Sequence, residues 1–219
     1  LEWLRGRRAI LGLDLASKID IAALEYLILP RGEVATTEDP YIRIGRYFLP
    51  ADTVADVPAY QGWDALDLLD VTSGNIVDYD EIEQAIEEAC EFFQVEFVSY
   101  DPFQATQLST RLRNQGVPVI EYRPTVLNFS EPMKELDALM RSRRIIHGGD
   151  PVMEWEISNV VGAPDKKDNV YPNKPDGQAH LKIDNPVALM SGLGVAMGEE
   201  KEEVPSSPWD NPEFSMAAD

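Results

Sequence analysis

Ala9-Ile10-Leu11-Gly12-Leu13-Asp14-Leu15-Ala16-Ser17-Lys18-Ile19-Asp20-Ile21-Ala22-Ala23-Leu24 is the stretch whose reading decides the fold. Two apolar runs, residues 10–15 and 21–29, flank a polar corner at 16–20, which is the pattern of a hairpin of two buried strands. Asp14 then lies inside a strand with apolar residues on both sides. A carboxylate placed there carries a desolvation cost of several kcal/mol unless it is paired, hydrogen-bonded or bound to a cation. Whatever satisfies it has to come from elsewhere in the chain.

Outward from the hairpin, residues 41–49 alternate with a strand period, giving a third consecutive strand that is expected to be antiparallel. Residues 50–75 are rich in Asp, Pro and Gly and read as an excursion with one short helix at 63–69. Asp78 then caps an amphipathic helix with Ile82, Ala85, Ile86, Ala89 and Phe93 at spacings of three and four, its glutamates forming a solvated face. A strand at 95–100 ends in Asp101-Pro102, which opens a helix to Leu112, and a short strand follows at 117–121. Three strands followed by helix, strand, helix, strand predict an α/β fold with a mixed central sheet flanked by helices. Ser130-Glu131-Pro132 predicts a helix to Arg141, residues 143–147 a short strand, and Asp150-Pro151 another helix. Residues 161–177 read as a polar loop, and Asp184-Asn185 stand at the head of an apolar helix at 187–197. No internal repeat is present.

The chain of 219 residues suits one domain. Its net charge is −20, and residues 199–219, with seven acids against Lys201, leave −14 for the remainder. Such a surface does not attract nucleic acid by itself. One cysteine, Cys90, and two histidines exclude an internal disulfide and a Cys/His zinc site, so any metal is a hard cation held by oxygen. No apolar run approaches the roughly 20 residues of a membrane span, and the N-terminus lacks the apolar core of a signal peptide, so a soluble cytoplasmic protein is expected. Neither a P-loop nor a Gly-x-Ser-x-Gly elbow occurs.

Asp14 within a strand, Asp101 at a strand end and Asp184 at a helix start are candidates to converge. Carboxylates brought together repel unless a cation neutralises them, and two Mg²⁺ or Mn²⁺ ions about 3.5–4 Å apart would do so and would serve phosphodiester cleavage. Asp101 and Asp184 also read simply as helix caps. Asp14 has no cap to explain it and favours a metal. Asp20 is a candidate fourth ligand or an exposed turn residue. His147 is a candidate assistant or a packed strand-end histidine. Lys174 and Lys182 read as contacts to a scissile phosphate, as counterweights to the carboxylates, or as solvated loop residues.

Four segments, taken in order, resemble the C-terminal nuclease domain of the large terminase subunits of tailed bacteriophages of the HK97-like type. They are Gly12-Leu13-Asp14-Leu15-Ala16 with Asp20-Ile21-Ala22-Ala23-Leu24, then Tyr100-Asp101-Pro102-Phe103-Gln104-Ala105, then residues 144–152, and Lys182-Ile183-Asp184 before Val187-Ala188-Leu189. The resemblance implies an RNase H-like fold, with Asp14, Asp101 and Asp184 as catalytic ligands of two divalent cations. The implied activity is a two-metal-ion endonuclease that cuts concatemeric double-stranded viral DNA during packaging. Asn159, Lys174 and Lys182 also match positions of the family. The implied partners are DNA, an N-terminal packaging ATPase domain that this sequence does not contain, the portal protein and the small terminase subunit, and no membrane. The implied setting is the host cytoplasm, transiently on the procapsid portal. On this reading residues 1–8 are a linker remnant, 9–197 the nuclease domain and 198–219 a disordered acidic tail. The competing readings are a catalytically silent RNase H-like docking module for portal or small terminase, and another RNase H-like nuclease of the resolvase type.

Overall fold

The computed structural model describes residues 1–15, 20–178 and 180–198, apart from the side chain of Gln104. The polar corner at 16–19 and nearly all of the expected acidic tail lie outside the described residues.

Strands β1 (Arg8–Asp14), β2 (Ala22–Ile28) and β3 (Tyr41–Pro50) form the expected antiparallel start, with Leu13 opposite Leu24 and Asp14 opposite Ala23. Two short helices, α1 (Ala51–Asp56) and α2 (Pro58–Asp64), lead to β4 (Asp70–Thr72). Helix α3 (Tyr79–Phe92), β5 (Gln94–Tyr100), α4 (Pro102–Asn114) and β6 (Val119–Glu121) follow. Then come α5 (Val126–Arg141), β7 (Ile145–Ile146), α6 (Pro151–Ser158), the hairpin β8 (Val161–Pro164) and β9 (Val170–Asn173), and α7 (Asp184–Ala196). The main sheet runs β4-β3-β2-β1-β5-β6, with β5 and β6 parallel to β1, and β7 pairs with the first residues of β3.

Successive strand residues face opposite sides, and that alternation sorts the core into two layers. Ala9, Leu11 and Leu13 pack under α3 and α4 against Ile82, Ala85, Ile86 and Ala89, the α3 positions expected from their spacing, and against Leu108 and Leu112 of α4. Ile10 turns to the other layer, with Leu136, Leu189 and Leu193 of α5 and α7. Gly12 and Asp14 share that second face. Helix α7 is buried almost all round, from Asn185 to Gly194, and lies directly on β1. A Cβ at Gly12 would fall on the Ala188 carbonyl, so only glycine admits this approach.

Four segments differ from expectation. The excursion at 50–75 forms two helices and β4 instead of one helix at 63–69; Arg46 holds Asp70 of β4 through Nε (3.0 Å) and Nη2 (2.6 Å). Helix α5 starts at Val126, capped by Thr125, so Pro132 lies inside it instead of at its head. The carbonyl that Pro132 cannot bond, that of Asn128, accepts the Tyr122 hydroxyl, which removes much of the penalty of an internal proline. Residues 161–177, expected as loop, contain the β8–β9 hairpin. Residues 1–8, expected as a linker, are folded onto the domain: Leu4 is buried, the Gly6 amide donates to the Phe92 carbonyl (2.8 Å), and Arg8 already belongs to β1. Among the described residues no helix is long and apolar enough to cross a membrane.

Candidate active site

Parallel pairing places two of the three acids. Leu13 of β1 is level with Tyr100 of β5, so the next residues, Asp14 and Asp101, leave the sheet side by side. Ser99, two residues before Asp101, donates to the Leu11 carbonyl (3.2 Å) and touches Ser191 of α7 (2.9 Å), which puts the 99 and 101 positions on the α7 face.

The third acid arrives along α7. Ala188 lies on Gly12 and Gly192 beside both Gly12 and Ile10, so the helix runs against the direction of β1. One helical turn back from Ala188 is about 5.4 Å, and two strand residues on from Gly12 are about 6.6 Å. These steps bring Asp184 and Asp14 to the same end of the same face.

Burial pushes the Asp14 carboxyl up to about 8, and the charges of Asp184, Asp101 and Asp20 push in the same direction while Lys174 opposes them. Asp184 rises to about 6, first through burial and then through Asp20, against the pull of Lys174 and Lys182. The protein's own cations therefore compensate only part of the charge. Asp184 Oδ2 is buried and has no hydrogen-bond partner among the described residues. An all-oxygen donor set with an orphaned buried carboxylate oxygen fits a hard divalent cation. The three carboxylates do not stand ready-made around one point, because among the described residues no three acidic, histidine or cysteine groups are near enough to hold a metal. The backbone brings their origins together, and mutual repulsion favours side chains that stay apart.

The two cap readings separate here. Asp101 does cap α4, its Oδ1 accepting the Phe103 amide (3.0 Å). Asp184 does not cap α7: it is the first helical residue, Ile183 stands at the cap, and no side chain of the cap residue bonds the helix. Asp20 behaves locally as a turn residue, accepting the Ile21 amide (3.1 Å), and it also pairs with Lys182 Nζ (2.5 Å). Lys174 follows β9, half-buried, within electrostatic reach of Asp14 and Asp184. Asn159, at the end of α6, donates from Nδ2 to the Lys182 carbonyl (3.0 Å). His147 is elsewhere: it follows β7, which pairs with the opposite end of β3, and its Nδ1 lies 3.9 Å from Glu154.

Sequence reasoning missed two acids. Glu156 of α6 is fully buried, and its Oε2 accepts the Asn185 amide (2.7 Å). Burial, then the Asp184 charge, lifts its carboxyl well above the usual range. It sits one turn after Val152 on the buried side of α6, so helical spacing alone could have found it. Glu25 lies in the wholly buried β2 and is paired with Arg43 of β3, Nε to Oε2 at 2.7 Å. The signal was the same as for Asp14, an acid in an apolar strand.

Residues 1–200 match the protein family described as "Terminase large subunit, endonuclease domain". Protein YmfN of Escherichia coli (strain K12) is 36% identical over 214 residues, covering 93% of this chain and 46% of YmfN. The terminase large subunit of Enterobacteria phage HK97 is 26% identical over 200 residues, covering 90% and 39% respectively. The crystal structure of the HK97 large terminase aligns at a TM-score of 0.76 and 23% identity over 88% of this chain and 40% of that one. The large terminase nuclease of thermophilic phage G20c, solved with bound magnesium, aligns at 0.55 and 11% identity over 85% of this chain and 80% of that one. The described chain thus has the mixed-sheet, RNase H-like fold of terminase nucleases, and it spans less than half the length of the curated relatives it matches.

Proposed function

This chain belongs to the family of terminase large subunit endonuclease domains, and from that premise we propose that it cuts double-stranded viral DNA by two-metal-ion phosphodiester hydrolysis. The observation that carries the proposal is Asp184 Oδ2, buried and without a hydrogen-bond partner among the described residues at the sheet end where Asp14 and Asp101 also arrive.

In this reading Asp14, Asp101 and Asp184 hold two divalent ions, Mg²⁺ or Mn²⁺. Bound ions supply an activated water at neutral pH and charge stabilisation at the leaving oxygen. The chain's own residues set the stage. Asp101 keeps its orientation through the α4 cap, Asp20 holds the Lys182 ammonium beside the acids, and Lys174 offsets part of the carboxylate charge. Both lysines are placed to approach a substrate phosphate as point charges.

The substrate is concatemeric viral DNA, and the partners are a packaging ATPase domain of the same subunit, the portal and the small terminase subunit, in the host cytoplasm and transiently at the procapsid portal. The net charge of −20 gives this division a physical reason. A nuclease that repels the backbone by itself grips DNA weakly and is less apt to cut at random before a partner delivers it. Strong binding of short duplex DNA by this chain alone at physiological salt would contradict that part.

The test is nicking and linearisation of supercoiled plasmid with Mn²⁺, Mg²⁺ or EDTA, for wild type and for Asp14→Asn, Asp101→Asn and Asp184→Asn. Metal-dependent cutting that is lost in all three variants is the expected result. Cutting that survives in EDTA, or in the three variants, overturns the mechanism. Wild type that never cuts, and takes up no divalent ion, points instead to a silent docking module.

A further inference from the structure

Two hydrogen bonds to the backbone around Asp184 come from one neighbouring helix, α6. Asn159, at the C-terminal end of α6, donates to the carbonyl of Lys182, two residues before Asp184 (3.0 Å). Glu156, one turn earlier on the same helix, accepts the amide of Asn185, one residue after it (2.7 Å). One contact is a donor and the other an acceptor, so the pair fixes both the position and the direction of the 182–185 backbone. Ile183 offers α7 no side-chain cap, so Glu156 takes the place of one in binding an otherwise orphaned first-turn amide.

Both residues are costly to place there for packing alone. Glu156 and Asn185 are fully buried, and Asn159 is 6% exposed. The buried side-chain atoms left without a partner among the described residues are Glu156 Oε1, Asp184 Oδ2 and both polar atoms of Asn185, all at this one junction. An apolar residue at 156 would avoid that cost.

Helix α6 is itself anchored at its other end. Asp150 caps it by accepting the Val152 (2.9 Å) and Met153 (3.2 Å) amides through Oδ1, while its Oδ2 accepts Arg43 Nη1 (2.8 Å) and the Tyr47 hydroxyl. Arg43 in turn is locked to Glu25 inside the sheet. The chain of contacts runs from β2 and β3 through α6 to the backbone on either side of Asp184.

We infer that α6 is the positioning element of the active site, with Glu156 and Asn159 as positioning residues that grip the backbone either side of Asp184 and so set its carboxylate for a divalent cation. The inference rests on the reading of Asp184 as a metal ligand. Supporting residues around metal ligands change affinity by about 10- to 100-fold when removed.

The experiment uses Glu156→Leu, Asn159→Ala and Glu156→Gln, whose amide oxygen can still accept the Asn185 amide. Two readouts are followed: hydrogen exchange of the Asn185 amide in metal-free protein, and Mn²⁺ binding from loss of the free-ion electron paramagnetic resonance signal. Glu156→Leu is expected to speed Asn185 exchange, and both Glu156→Leu and Asn159→Ala to weaken Mn²⁺ binding about tenfold. Glu156→Gln is expected to stay close to wild type in both. Wild-type Mn²⁺ affinity in folded Asn159→Ala and Glu156→Leu overturns the positioning role, and unchanged Asn185 exchange in Glu156→Leu overturns the grip. If Glu156→Leu does not fold, Asn159→Ala and Glu156→Gln decide. A wild type that binds no Mn²⁺ overturns the ligand reading of Asp184 instead, and the exchange readout still judges the grip.

Discussion

Two groups of buried acids lie on the same face of one sheet, and they meet their charge in opposite ways. Glu25 sits on β2 directly opposite Gly12, two residues from the level of Asp14. It is gripped by the Arg43 guanidinium, which also reaches Tyr47 and Asp150. Burial pushes the Glu25 carboxyl upward as it does the others, but Arg43 bonds it directly, and Glu25 in turn holds the guanidinium above its ordinary range against the pull of burial. Gly45 leaves the room: a Cβ there would collide with Tyr47 and Arg43. Around Asp14 and Asp184 no arginine plays this part among the described residues; Lys174 and Lys182 offset only some of the charge, and both carboxyls are pushed upward. A buried acid with a built-in cation holds the fold together. In the proposed reading Asp14 and Asp184, which lack one, take a cation from outside.

The largest expected effect sharpens that contrast through activity. Asp14→Asn should abolish plasmid cleavage in Mn²⁺ while raising the melting temperature of metal-free protein at pH 8, because the substitution removes a repelled charge. Removing Glu25 should do the reverse. Glu25→Leu leaves the buried guanidinium with Asp150 as its one carboxylate among the described residues and should cost stability in urea unfolding, at most the roughly 3–5 kcal/mol of a fully unpaired buried charge. Glu25→Leu with Arg43→Met should recover much of that loss. If the double variant is no more stable than the single, the Glu25 and Arg43 charges do not compensate one another as described.

Next in size is Gly12→Ala, which forces α7 off β1 and should cost about 1–3 kcal/mol. It should weaken Mn²⁺ binding as well, since Asp184 travels with the helix.

The pH dependence has a definite sign. Asp14 and Asp184 hold their protons more tightly in the folded state, so their contribution to stability is fully present below the ordinary aspartate value of 3.8 and is lost as pH rises through about 6 and then about 8. The melting temperature in EDTA should therefore fall across that window more steeply for wild type than for Asp14→Asn, and Mn²⁺ should flatten the wild-type curve. Equal slopes for the two proteins in EDTA would remove Asp14 from the account.

The smallest effect concerns Asp101, whose cap and ligand roles can be separated. Asp101→Asn keeps the cap and should leave stability unchanged while cleavage is lost, whereas Asp101→Ala should cost about 1 kcal/mol more.

Much of the fold was legible in the sequence because its signals are local. Apolar runs around a polar corner marked β1 and β2, and spacings of three and four marked α3. What escaped depends on partners distant in sequence. Pro132 looks like the start of α5 in the sequence because the hydroxyl that accommodates it inside the helix belongs to the distant Tyr122. The β8–β9 hairpin has strands of four residues, each with a proline, and its β8 residues are all exposed, so no alternating pattern announces it. At the site, Asp14 was legible from burial alone, and its neighbour Glu25 carried the same signal. Its meaning lay in Arg43, one strand away, and only the sheet register shows that the two meet. Glu156 was legible in principle from the buried stripe of α6, although its target, the Asn185 amide, has no signature in sequence.

The most direct measurement is an anomalous difference map from crystals of wild type soaked in Mn²⁺. Mn²⁺ peaks are expected between Asp14, Asp101 and Asp184, and none beside Glu25. Peaks confined to other sites, with those three carboxylates left without an ion at a Mn²⁺ concentration that supports cleavage, would contradict it.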